Sequence, residues 1–73
     1  MSAWERHGQD LIQRRGRWTL HVRRQRDGWD WAIKIRDVKV ALAPRVWASE
    51  DDACAACAVY ARDLALEGVG GEV

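Results

Sequence analysis

This chain of 73 residues is short of several things that would organise a fold by themselves. It has two cysteines, one proline, one methionine, one tyrosine and no phenylalanine. Two cysteines cannot build a disulfide framework, and a four-ligand zinc site would need both of them plus both histidines. No apolar run approaches the roughly 18 residues of a membrane span, and no signal peptide opens the chain. The expectation is a cytoplasmic protein with reduced thiols and no membrane partner. At this length only about 60% of the unfolded surface is buried on folding, so the core is marginal.

What is present in excess is tryptophan, five residues in all. Each ring offers on the order of 150–250 Å² to a core or a binding surface. The net charge of +1 conceals a polarised chain. Residues 1–48 hold eleven Lys/Arg against five Asp/Glu (+6), and residues 49–73 hold one Arg against six Asp/Glu (−5). A basic face is the usual electrostatic footprint of a phosphate-binding surface, although a small soluble domain also needs charge simply to stay solvated.

The clearest pattern is residues 28–37, Gly-Trp-Asp-Trp-Ala-Ile-Lys-Ile-Arg-Asp. Trp29, Trp31, Ile33 and Ile35 alternate with Asp30, Ala32, Lys34 and Arg36, the period of a half-buried strand. Residues 17–25 alternate likewise, with Trp18, Leu20 and Val22 on one side and Thr19, His21 and Arg23 on the other. Asp27-Gly28 between the two runs is a hairpin signal. Residues 38–42 alternate again before Pro44, which cannot donate to a ladder, so this third segment is an edge strand or is broken there. Two readings of residues 45–48 remain open: the end of one bent strand, or a turn followed by a short one.

Ser49 is an N-cap, and Glu50, Asp51 and Asp52 load the positive end of a helix dipole. The alanine-rich body carries Ala53, Ala56, Cys57, Tyr60 and Leu64 at helical spacing, and Gly68 suits the stop. The expected fold is one α+β domain: an antiparallel sheet of three strands, or four if the arm adds one near residues 10–14, packed on one C-terminal helix. Residues 1–16 are the arm, 17–48 the sheet, 49–67 the helix and 68–73 a flexible tail.

Cys54-Ala-Ala-Cys57 has redox or zinc-half-site spacing, but acidic residues precede it and disfavour a thiolate, so packing is the preferred role. No nucleophile is arranged with a base and no carboxylates pair in an apolar pocket, so no catalytic residue, cofactor or metal is expected. The polar side of the strands is more informative. Arg23, Lys34 and Arg36 share it, and Arg45 and Trp47 join them if Val46 points inward. Such a row suits guanine edges and phosphates.

Trp31-Ala-Ile-Lys-Ile-Arg-Asp37, then Arg45-Val-Trp47, then a helix with Asp52-Ala53, Ala56 and Tyr60-Ala-Arg-Asp63 resembles the ethylene-response-factor (Apetala-type) DNA-binding domain, whose relatives occur in integrases and phage endonucleases. The resemblance spans roughly residues 20–66. It implies binding of double-stranded DNA through the sheet face away from the helix, with contacts at Arg23, Arg36, Arg45 and Trp47, and further ones at Arg26 and Trp29. Lys34 stands where that family has an acid, and the family's Leu-Gly-Thr-Phe after the second tryptophan is missing. The other reading is a small prophage-type modulator that binds a protein through exposed tryptophans, as a monomer or weak homodimer.

Overall fold

A computed structural model describes residues 4–68. The fold is α+β, with one antiparallel sheet and one C-terminal helix. The sheet has five strands rather than three or four: β1 (Glu5–His7), β2 (Asp10–Arg15), β3 (Trp18–Gln25), β4 (Gly28–Ile35) and β5 (Val38–Leu42), in that spatial order. The arm supplies both extra strands. β2 was legible near residues 10–14, whereas β1 is three exposed polar residues, Glu-Arg-His, with no alternation of hydropathy to reveal it. The expected tail falls almost wholly on residues 69–73, outside the described residues.

Every connection within the sheet is a two-residue turn, which antiparallel neighbours allow. The β3–β4 turn is centred on Arg26-Asp27, because Gln25 already pairs with Gly28. Gly28 is therefore the first residue of β4 rather than part of the turn. Its lack of a Cβ serves another purpose: an added Cβ would stand 2.3 Å from the Trp47 carbonyl oxygen and 2.7 Å from Val46 Cγ1. The segment from β5 to the helix crosses directly over it.

That crossing resolves the ambiguity around Pro44. β5 stops at Leu42, and a single isolated bridge then joins Trp47 to Trp29 through two backbone hydrogen bonds of 2.8 Å. The chain turns back and enters α1 (Glu50–Leu66), where Ser49 Oγ accepts from the Asp52 amide at 3.1 Å. Helix α1 lies across β3 and β4. Of the expected Ala53/Ala56/Cys57/Tyr60/Leu64 stripe, Ala56 and Leu64 are half-buried and Tyr60 is exposed; its buried stripe is Ala53, Cys57 and Ala61. Small side chains there let the helix approach the sheet closely.

Leu11 from β2, Leu20 and Val22 from β3, and Trp31 and Ile33 from β4 form the core beneath it. Register places them on one face: Leu11 opposite Val22, Val22 opposite Trp31, and Leu20 opposite Ile33. Trp31 is the largest fully buried side chain. It stacks on Trp47 at 6.0 Å between centroids and meets Tyr60 at 5.1 Å.

Removing this ring by Trp31→Ala is expected to cost about 3–5 kcal/mol, read as a fall in the urea midpoint at constant slope. A loss below about 1 kcal/mol would show that the ring is not the centre of the core.

Candidate nucleic-acid interface

Along β3 and β4 Trp18, Trp29 and Trp31 alternate with Arg23 and Lys34, so these two sets face opposite ways, while Arg15 and Arg24 share the tryptophan face. Helix α1 covers the Leu20/Trp31/Ile33 face, which leaves the other, outer face to His21, Arg23, Asp30, Ala32 and Lys34. The seven residues expected to contact DNA do not share that face. The structure divides them into three groups.

Arg23 lies on the outer face, as expected, but its guanidinium is engaged. Nε and Nη2 donate to the two carboxylate oxygens of Asp30 at 2.9 and 3.1 Å, and the Gln25 amide donates to the same carboxylate. Next to this pair the His21 ring sits 3.1 Å from Asp10, whose other oxygen accepts the Arg24 amide at 3.1 Å. Burial acts to raise the Asp10 carboxyl, but the Arg24 amide bond and the His21 ring outweigh it and hold the group below its ordinary 3.8. The middle of the outer face is thus a hydrogen-bonded network in which the Arg23 guanidinium is met by the Asp30 carboxylate.

Trp29, Arg45 and Trp47 form a second group on the helix side, contrary to the expectation that Arg45 and Trp47 extend the outer face. Pairing with Trp29 and stacking on Trp31 place Trp47 there. The physical reason is the crossing over Gly28, which resets the alternation after β5. Arg24 lies over the Trp29 ring at 5.1 Å and Arg45 over the Trp47 ring at 5.3 Å. Arg26 is exposed in the β3–β4 turn at the same end of the sheet.

Lys34 and Arg36 form the third group, at the opposite end. Lys34 keeps its expected place on the outer face. Arg36 is not a strand residue: it occupies the first position of the β4–β5 turn, because Ile35 already pairs with Val38. Its amide donates to the Arg17 carbonyl at 2.7 Å, tying this turn to the β2–β3 turn. Across the outer face Arg14 pairs with Thr19, Thr19 with Lys34, and Lys34 with Lys39. With Arg15, Arg17 and Arg36, six of the twelve Lys and Arg residues gather at this end. Glu5 reaches Arg14 at 3.6 Å, and among the described residues no carboxylate pairs with Lys34, Arg36 or Lys39. Lys39 had not been singled out in the sequence. Only the register across a bulge beside Lys34 reveals that it stands opposite another lysine.

Two features here work against stability. Lys34 and Lys39 are like charges directly across a ladder. Arg36 has φ 60°, the only non-glycine residue with positive φ among those described, whereas the corresponding turn positions before β2 and β3 are Gly8 and Gly16. A side chain in that region costs roughly 1–2 kcal/mol, and such strain concentrates at functional sites.

The thiols lie elsewhere and are quiet. Burial, then Glu50 and Asp51, push Cys54 up to about 11. Burial, then Cys54, pushes Cys57 up to about 12. Among the described residues no three His, Cys, Asp or Glu side chains converge as a metal site, and no helix is long and apolar enough to cross a membrane.

Two outcomes are expected. Arg36→Gly raises stability by about 1 kcal/mol in chemical denaturation; an unchanged or lower midpoint would remove the strain argument. Iodoacetamide at pH 8 modifies Cys54 roughly 100-fold more slowly than an ordinary thiol, because so little of it is thiolate, and Cys57 more slowly still. Rapid stoichiometric labelling of the folded protein would contradict this.

Comparison with protein-family models, with curated proteins and with solved structures finds no match, so the functional reading stands on the residues described above.

Proposed function

We propose that the protein is a small non-enzymatic module that binds double-stranded nucleic acid, and that it does so through the basic end of the outer sheet face. The observation that carries this reading is the Lys34–Lys39 pair beside the left-handed Arg36. Among the described residues these three cations have no carboxylate partner; they are held together at a local energetic cost, and a polyanion would offset that cost. A row of cationic side chains on a sheet neutralises phosphates, and an arginine projecting from a turn can reach a guanine edge. Arg14 and Thr19 continue the row.

Duplex is favoured over single strand. Trp4, Trp18, Trp29, Trp31 and Trp47 all pack against the helix-side core, and the outer face offers no aromatic platform for unstacked bases among the described residues. Arg23 acts within the sheet rather than on the ligand, because its fork is taken by Asp30. The acidic first turn of α1 is kept away from phosphate.

A second reading has its own observation. Trp29 and Trp47 are half-buried and each is covered by an arginine. Trp and Arg together are the residues that dominate protein-binding hot spots, so this end of the sheet suits a protein partner.

Fluorescence anisotropy with a random-sequence duplex at low salt separates the two. Lys34→Ala and Lys39→Ala should each weaken binding and lower the salt slope by about one. Arg36→Ala should cost about 1–3 kcal/mol if it reads a base, and Arg23→Ala should change affinity little while lowering stability. Absence of binding at low salt, or binding unaffected by these three cations, would defeat the nucleic-acid reading and leave the tryptophan–arginine surface as the better account.

A further inference from the structure

One helix covers only part of this sheet. Five strands at about 4.8 Å spacing present a face roughly twice the width of a helix of about 10 Å diameter. Helix α1 lies over β3 and β4, and on its β2 side an open groove of about 520 Å³ runs along its C-terminal half. Trp18 and Leu20 form its floor and Ala58, Ala61 and Ala65 its helix wall, with Arg15 and Arg62 at the rim. At the helix end Leu66 is 76% exposed, and Val59 on the helix crest is 59% exposed.

We propose that this groove is the seat of helix α1 from a second copy of the chain, packed antiparallel about a two-fold axis. Charge complementarity selects this occupant. Asp51, Ala55, Ala58 and Arg62 follow one another at steps of four, three and four, which places all four along the groove side of α1. An antiparallel pair centred between Ala55 and Ala58 sets Asp51 of one copy opposite Arg62 of the other, and the symmetry repeats the contact. Ala55 then faces the second copy's Ala58, so small side chains meet where the axes cross and the helices can approach closely. Glu50 is held by Arg6 of its own chain at 2.6 Å, so it is Asp51 that enters the groove end carrying Arg15 and Arg62. A two-fold interface requires each patch to complement itself, and this one does: acidic at one end, basic at the other, small and apolar between.

The alternative self-association route, pairing of β5 edges, is blunted. β5 carries a lysine and a bulge, and Pro44 follows it closely, all devices that discourage edge-to-edge growth. Apolar burial of Val59, Leu66 and Trp18 supplies the affinity of the helix pair, and the charges set its orientation.

The test is sedimentation velocity of the full chain, without nucleic acid and at low salt, from about 10 µM to about 1 mM, the range in which weak specific pairing shows. The wild type should move from monomer to dimer. Asp51→Arg and Arg62→Glu should each weaken dimerisation at least about tenfold, because each sets like charges opposite one another twice. An equimolar mixture of the two should recover it as a heterodimer. Circular dichroism checks that both variants keep the helix; should either lose it, Asp51→Asn and Arg62→Gln read the same contrast without reversing charge. A wild type that stays monomeric at about 1 mM, a dimer indifferent to both substitutions, or variants that associate no better mixed than alone would each overturn the proposal.

Discussion

The structure depends on one contact, the passage of residues 43–48 over Gly28. At this point the chain must leave the sheet edge and return above the middle of the sheet, or the helix has nothing to cover. The Trp47 carbonyl comes so close to Gly28 that no side chain fits between them. The Trp29–Trp47 bridge and the Ala43 amide bond to the Trp31 carbonyl at 2.9 Å hold the segment there. Trp47 is thereby laid on Trp31, whose other neighbour is Tyr60 of the helix. Trp31 thus couples sheet, crossing and helix in a single ring cluster. Its buried indole Nε1 has no hydrogen-bond partner among the described residues, a cost of about 1–3 kcal/mol. Burial of the ring, on the order of 4–6 kcal/mol by area, exceeds it.

Charge is managed differently at the two ends of the sheet. At the β3–β4 end and across the middle, cations meet carboxylates or rings: Arg23 with Asp30, Arg24 over Trp29, Arg45 over Trp47. At the β4–β5 end Lys34, Arg36 and Lys39 are left together. A domain with so small a core has little stability to spare, so an unrelieved like-charge pair beside a strained turn is informative. The proposed function and the local strain are two aspects of one arrangement, because the energy withheld from folding is what an anion would release on binding.

The helix shows the same economy. Its alanines and cysteines permit close approach to the sheet and leave most of the filling to tryptophans below. This suits the centre of the sheet, where Trp31 is available, and leaves the β2 flank open, where the helix has nothing larger than alanine between Arg62 and the groove floor. The CxxC spacing belongs to this packing. Burial pushes both thiols up, Cys54 to about 11 and Cys57 to about 12, which keeps little of either as thiolate at neutral pH.

Local patterns determined much of the architecture. Alternation over residues 17–42 marked three strands, Ser49 and the acids after it marked the helix start, and the period-two phase of β3 and β4 assigned Trp31 and Ile33 to the core and Lys34 to the outer face. Such properties follow from backbone geometry over a few residues, which side-chain type alone reports. β1 was not legible because a three-residue polar edge strand has no buried face to leave a hydropathy signal. The positions of Arg36, Arg45 and Trp47 were not legible either. Each depends on where a turn ends or a crossing lands, and a shift of one residue reverses the face on which a side chain stands. The pairing of Arg23 with Asp30 and the opposition of Lys34 to Lys39 are cross-strand facts, set by register. Sequence alone therefore determined which residues are basic and where β3, β4, β5 and the helix lie. Only the tertiary structure decided which cations are neutralised and which are left together, because that depends on neighbours brought close by the sheet and not by the chain.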